Sequence, residues 1–327
     1  MILLNREDIK SVVTMDDMIE AVKTAYKMSV DGTVETPLRT VINGKYDGSF
    51  LFMPSYAPEL DAAAVKVVDI FPNNVEQGLM TSPAQVLLID GKTGYVIAIL
   101  DGTYITQIRT GASSGAAFDL LAKKDCKKGA LIGTGGQAAA QLEAMLCARK
   151  LEEVRIYSRN AENCQAFVER MKEELASYGT KFIAAASSDE CIEDADLIIT
   201  VTGSATPVFD GTKVKTGATI SCVGTYQPEK HEMDPAILPR ASKIICDVKD
   251  AVMSESGDLL IPLADGLITD ADIQGSLGDV INGTIPGREN DDEIIVYETV
   301  GVGAQDLVAA KIIYDKASAA GKGIKWE

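Results

Sequence analysis

The stretch that most limits how this chain can fold runs Gly-Ala-Leu-Ile-Gly-Thr-Gly-Gly-Gln-Ala-Ala-Ala, from Gly129 to Ala140. Residues 130–132 are a short apolar run that breaks at glycines and leads into a helix-forming segment, 138–149. Gly133, Gly135 and Ala138 carry the spacing G-x-G-x-x-G/A. The first glycine allows a tight turn, the second lets backbone approach a pyrophosphate, and the small third residue lets helix pack on strand. The helix start then offers unpaired N–H groups and a positive dipole end to phosphates. Glycine-rich turns also close ordinary strand–helix joins, so the flanks decide. Residues 154–158, 196–201 and 218–223 read as further strands, with 160–178 as a crossover helix. That alternation predicts an α/β fold with a Rossmann-type, doubly wound parallel sheet.

The rest of the chain has a different texture. Thr14-Met15-Asp16-Asp17 reads as a capping box, and Met18, Ile19, Val22, Ala25 and Tyr26 recur at helical spacing until Gly32. Strand-like runs follow at 39–42, 49–53, 62–70, 84–89 and 95–100, punctuated by Asn43-Gly44, Asp47-Gly48, Asp90-Gly91 and Thr93-Gly94. Tight turns predict a mixed or antiparallel sheet, followed by a helix over about 103–122. A strand is expected at 293–300, and a last helix at 304–319 is expected to return to this part. The expected organisation is a discontinuous α+β substrate-binding and dimerisation domain, 1–123 plus 302–327, with the nucleotide domain, 124–301, inserted.

Of 327 residues, 31 are Lys or Arg and 48 are Asp or Glu, a net charge of −17. Nucleic acid and anionic membranes need a positive surface, so neither is expected as a partner. Six cysteines form no C-x-x-C pair and there is one histidine, so no metal site is expected. Free thiols, an early charged N-terminus and the lack of a ~20-residue apolar run predict a soluble, cytoplasmic protein.

Three cations stand out. In the strand 62–70, period-two alternation puts Lys66 on one face with Ala64, Val68 and Ile70, where a lysine is costly to bury without an anion. Arg109 is the one strong charge between Asp101 and Asp119, among small residues that allow close approach, and a guanidinium grips a carboxylate bidentately. Arg39 is a third candidate for an anion pocket. The bland alternatives are a lysine reaching water at a strand end and an arginine paired with an acidic side chain. At the tip of the second nucleotide-domain strand, Tyr157-Ser158-Arg159-Asn160 has no acid to bond ribose hydroxyls. Ser158 and Arg159 suit a 2′-phosphate, so NADP(H) is the expected cofactor, with NAD(H) possible. His231, among charged neighbours, reads as a solvated residue rather than a catalyst.

With these residues in place, the chain resembles the ornithine cyclodeaminase/μ-crystallin family. The resemblance rests on an ordered set: Phe52-Met53-Pro54, Ala64-Val65-Lys66, Gly78-Leu79-Met80-Thr81, Leu100-Asp101-Gly102, Arg109-Thr110-Gly111-Ala112, the glycine turn, Tyr157-Ser158-Arg159, Val223-Gly224, and Thr299-Val300-Gly301 before Gln305-Asp306-Leu307. It implies a homodimer in which Arg39, Lys66 and Arg109 hold the carboxylate of an α-imino or α-amino acid. It also implies hydride transfer between nicotinamide C4 and the carbon bearing nitrogen. Expected cofactor contacts are Thr81, Thr110, Gly133, Gly135, Gly136, Gln137, Ser158, Arg159, Asn160, Thr202, Val223, Gly224, Val300 and Gly301.

Two departures from the family pattern narrow the activity. Tyr226 stands where ornithine cyclodeaminases carry a catalytic aspartate; a phenol of pKa about 10 is a poor base but can donate a proton. Ser82-Pro83 replaces the His-Gln of many ketimine reductases. The expected activity is NAD(P)H-dependent reduction of a small cyclic ketimine of Δ1-pyrroline-2-carboxylate type to an L-amino acid. Lys66 is the first candidate for proton delivery and Tyr226 the second. Alternatives are ornithine cyclodeaminase, an alanine-type amino-acid dehydrogenase, a cis-3-hydroxyproline dehydratase, and a non-catalytic crystallin-like NADPH-binding protein.

Overall fold

The computed structural model describes residues 1–326, which divide into two units: Met1–Arg109 with Gly301 onward, and Thr110–Val300. The first unit begins with β1 (Ile2–Leu4), α1 (Arg6–Lys10) and α2 (Met15–Asp31). Thr14 and Asp17 close the anticipated capping box on α2, each side chain accepting the other's backbone N–H. Gly32 ends the helix in the left-handed region, φ 70°. Met18, Ile19, Val22, Ala25 and Tyr26 are all buried, as their spacing predicts.

Five strands follow: β2 (Thr40–Asn43), β3 (Ser49–Ala57), β4 (Ala62–Ile70), β5 (Ala84–Asp90) and β6 (Val96–Asp101). They pair as antiparallel neighbours, while β1 joins β6 in parallel. The sheet is mixed, as the tight turns predict. Helix α3 (Gly102–Leu121) comes next, and the division between the units falls within it. Its expected face, Ile105, Ile108, Ala112 and Ala116, is buried.

The second unit is a wholly parallel sheet. Its strands are β7 (Lys128–Ile132), β8 (Glu153–Tyr157), β9 (Lys181–Ala184), β10 (Leu197–Thr200), β11 (Thr219–Cys222), β12 (Lys243–Cys246), β13 (Ile273–Ser276) and β14 (Ile295–Glu298). The spatial order is β13-β12-β14-β11-β10-β7-β8-β9. Helix α4 (Ala138–Ala148) follows β7, and α5 (Ala161–Glu174) follows β8; the shorter α6 (Ser188–Ile192), α7 (Lys249–Glu255), α8 (Gly257–Ala264) and α9 (Leu277–Asn282) come later in the chain. The helix expected over 160–178 stops at Glu174; a 3-10 turn, 176–178, and Gly179 at φ 68° take the chain into β9. Leu131, Leu142, Met145, Ile156, Phe167, Val168 and Leu197 fill the core beside β7 and β8.

The order reverses at β7, flanked by β8 on one side and β10 on the other, which opens a crevice beyond the strands' carboxyl ends. At the opposite ends, Asp196 ties the two central strands together. Its carboxylate accepts the N–H groups of Lys127 (2.7 Å) and Lys128 (3.0 Å) and pairs with Lys215 (2.7 Å) and Lys123 (3.3 Å). Burial opposes its ionisation, but Lys215 and the two N–H groups prevail and hold the pKa at about 2.

After β14 the chain returns to the first unit. Helix α10 (Gly303–Ala319) packs on α2, β3, β4 and β5, and β15 (Ile324–Lys325) pairs with β1. The first unit's sheet is therefore seven-stranded, with β2 at its far edge. Among the described residues, no helix is long and apolar enough to cross a membrane.

Candidate active site

Within the first unit, Lys66 lies at the middle of β4, paired in register with Met53 of β3 and Val86 of β5. Alternation sends its side chain to the same face as buried Ala62, Ala64 and Val68. Only 1% of that side chain is exposed, and α10 crosses above it. An ammonium there needs an anion. Asp306, in the first turn of α10 and equally buried, supplies one at 2.8 Å. The same carboxylate accepts Arg109 Nε–H at 3.1 Å, and Arg109 also donates to Gln305 Oε1 at 3.1 Å. Gln305 is fixed in turn: its Oε1 accepts Val302 N–H and its amide donates to the Tyr26 hydroxyl, 2.9 Å.

Arg39, half-buried, donates to the Gly301 carbonyl at 2.8 Å. Gly301 has φ 76°, and a Cβ there would lie 2.3 Å from a terminal nitrogen of Arg109. Glycine is thus required both by conformation and by the guanidinium beside it. Lys66 and Arg109 are thereby gathered around one carboxylate, with Arg39 near enough for its charge to act on Lys66. Two buried cations against one anion leave a surplus of positive charge, suited to a second carboxylate. Burial, with the charge of Arg109 and then of Arg39, drives the Lys66 pKa down to about 7, against the pull of Asp306.

Asp306 was not among the expected site residues. The signal was a lone acid in the otherwise uncharged, fully buried stretch Gly303-Ala304-Gln305-Asp306-Leu307-Val308-Ala309-Ala310. Thr81 also belongs to the first unit; it is exposed, and its carbonyl accepts Phe71 N–H.

Within the second unit, the glycine turn after β7 opens a cavity of about 320 Å³ lined by residues 132–135, 157–159, 163, 201–204 and 208. Gly133 has φ 115°, and a Cβ there would sit 2.5 Å from the Val201 carbonyl. A Cβ on Gly135 would meet nothing within 4 Å, so backbone alone faces open space. Ala138 is fully buried at the start of α4, which no side chain caps. Open backbone, an uncapped helix start and a lining without carboxylates fit a dinucleotide's phosphates. Ser158 and Arg159 line the far side, and Arg159 is exposed with no hydrogen-bond or ion-pair partner among the described residues.

Asn160 caps α5 by accepting Asn163 N–H (2.8 Å), and it is Asn163 that lines the cavity. The Thr110 carbonyl accepts from Gln141. Gly136 and Gln137 lie in the turn, outside the lining. Thr202 lines the cavity, and Gly224, just beyond half-buried Val223, donates to Glu232. Val300 N–H donates to Asp247. Tyr226 is half-buried in the segment after β11, and His231 is half-buried as well. No group of three His, Cys, Asp or Glu able to hold a metal occurs among the described residues.

A parallel sheet with a glycine turn at its switch point, in a chain that also carries buried cations around one carboxylate, defines a dinucleotide-binding type of α/β protein. The chain belongs to the ornithine cyclodeaminase/mu-crystallin family, whose sequence pattern matches residues 1–321. It is 36% identical to a Delta(1)-pyrroline-2-carboxylate reductase of Bacillus cereus, over 100% of both chains. The Thermococcus litoralis Delta(1)-pyrroline-2-carboxylate reductase, solved with NADH and L-proline, superposes with a TM-score of 0.95 at 36% identity, covering 100% of both. An archaeal alanine dehydrogenase dimer with bound NAD gives 0.92 at 30% identity, covering 100% of this chain and 98% of that one.

Asp306→Asn would leave Lys66 and Arg109 buried without a counter-charge. The expected cost is about 3–5 kcal/mol in urea unfolding; a loss under 1 kcal/mol would show that the cluster does not depend on this carboxylate.

Proposed function

We propose that the chain is an NAD(P)H-dependent oxidoreductase that reduces a small cyclic α-imino acid, of the Δ1-pyrroline-2-carboxylate type, to the L-amino acid. The observation that carries this is the buried pair Lys66 and Arg109, which share the one carboxylate of Asp306, with half-buried Arg39 near enough for its charge to act on Lys66. The two guanidiniums take the substrate carboxylate, and their charge draws electrons from the adjacent C=N carbon. A bound nicotinamide dinucleotide supplies hydride. Lys66 Nζ delivers the proton to the imine nitrogen, and its near-neutral pKa suits a donor that must also be reloaded. Tyr226 is the second candidate donor.

Arg159 supports a preference for NADP(H): it is a partnerless guanidinium beside Ser158, at a strand tip with no acid. The homodimer reading is supported by β2, an edge strand that exposes Val41 and Ile42, with Leu38 just before it. Edges of this kind are usually covered. A cytoplasmic location fits the free, mostly buried thiols.

Turnover of Δ1-pyrroline-2-carboxylate, followed by NADPH and NADH absorbance, is the direct test. Activity is expected to be higher with NADPH, and Arg159→Ala should weaken NADPH binding about 10- to 100-fold, the worth of a charge-assisted pair. Ammonia release from ornithine without added nucleotide, and no imine reduction, would refute the reading.

Lys66 sets the pH dependence. Its pKa is lowered from 10.5 to about 7, so the donor loses its proton as pH rises through 7. The kcat/KM for imine reduction should fall above about pH 7, and the kcat limb should lie higher because bound carboxylate favours the ammonium. A flat profile from pH 6 to 9 would remove Lys66 as donor. Light scattering should give the mass of two chains; a single-chain mass would overturn the dimer.

A further inference from the structure

Glu232 lies between β11 and β12 and is fully buried, yet it has no ion-pair partner among the described residues. Its carboxylate is satisfied by hydrogen bonds instead. Oε2 accepts the Thr202 N–H and the Thr202 hydroxyl, both at 2.7 Å, and Oε1 accepts the Gly224 N–H at 2.7 Å. Its backbone carbonyl accepts Val208 N–H at 2.9 Å. The loop after β10 is thus held at both ends by one residue. Val201, Thr202, Gly203, Ser204 and Val208 from that loop line the nucleotide cavity. Thr202 Oγ1 passes the constraint on by accepting Ser204 N–H at 3.1 Å.

The fit leaves no slack. A Cβ on Gly224 would lie 2.1 Å from the Thr202 carbonyl oxygen and 2.6 Å from Glu232 Oε1. Glu232 is itself anchored by Asp258, whose Oδ1 accepts the N–H groups of Glu232 and Met233, each at 2.8 Å. A buried carboxylate with this many donors, all on cavity-shaping loops, does more than fill the interior.

We infer that Glu232 is the positioning residue of the dinucleotide site, fixing the 201–208 loop against the end of β11, and that its ionised form is the one that holds nucleotide tightly. This rests on reading the cavity as the dinucleotide site. An ionised carboxylate accepts all three donors; a protonated one gives up an acceptor position and releases the loop at Thr202 or Gly224. Burial comes first in favouring protonation, and the charge of Asp258 adds to it. Glu298 at the end of β14 and Cys222 at the end of β11 also face it, and the charge of Glu232 helps to raise the pKa of each. His231, the preceding residue, acts on Asp258. Against this work the Thr202 hydroxyl and the two backbone N–H groups, and the pKa settles at about 7.

The test is NADPH affinity, read from nucleotide fluorescence between pH 6 and 8, for wild type, Glu232→Gln and Thr202→Val. Wild type should bind about tenfold more tightly at pH 8 than at pH 6, as one proton with a midpoint near 7 allows. Glu232→Gln, whose amide N–H opposes the loop's own donors, should bind at least about tenfold more weakly at pH 8 and lose the pH dependence. Thr202→Val, which removes only the hydroxyl, should lose more affinity at pH 8 than at pH 6, and it carries the test if Glu232→Gln does not fold. A general loss of packing would weaken binding equally at both pH values. Wild-type affinity or a wild-type pH slope in Glu232→Gln, or equal losses at both pH values in Thr202→Val, would overturn the clamp while leaving the dinucleotide site standing. Failure of wild type to bind NADPH or NADH would overturn both.

Discussion

One carboxylate shared by two buried cations governs the chemistry of the first unit. Lys66 comes from the middle of a strand, Arg109 from a helix more than forty residues later in the chain, and Asp306 from the first turn of α10. Removing the carboxylate leaves both cations desolvated without compensation, which is why such a group is costly to alter alone. After Asp306 is counted a surplus of positive charge remains, which the proposed substrate carboxylate would balance. Burial, together with the charges of Arg109 and Arg39, lowers the Lys66 pKa to about 7, where a lysine can exchange protons at neutral pH.

The second unit solves the opposite electrostatic problem. Its cavity beside the glycine turn presents open backbone near an uncapped helix start, with no carboxylate in the lining, which suits the phosphates of the proposed dinucleotide. The acids of this unit lie behind that lining. Glu232, Asp258 and Glu298 are buried, and burial raises the pKa of each. They serve as acceptors for loop N–H groups and hydroxyls, so negative charge is placed where it can shape the loops without facing the phosphates. Gly224 and Gly133 mark places around the cavity where loops pass too closely for a side chain.

Much of this was legible in the amino-acid order. The glycine spacing announced the turn after β7, and period-two alternation put Lys66 on the buried face of β4. The stripe Met18, Ile19, Val22, Ala25 and Tyr26 marked the inner face of α2, and its capping box marked the start. What the sequence concealed were partners distant along the chain. Nothing local to Asp306 says that Lys66 lies 2.8 Å away, because that contact depends on α10 packing over β4. Glu232 was hidden differently: it sits among Glu229, Lys230, His231 and Asp234, a run whose composition suggests a solvated surface. Only the loops that close over it make it interior.

The first unit is assembled from segments separated by the whole of the second. During synthesis, 110–300 leaves the ribosome before 301–326, so the parallel sheet has its full complement of strands while β4 still lacks the helix that covers it. Until Asp306 emerges, Lys66 and Arg109 have no internal counter-ion and must stay hydrated. The nascent amino-terminal sheet is therefore kept open to water by its own lysine, and its apolar face is sealed last, when the final helix arrives carrying the missing negative charge.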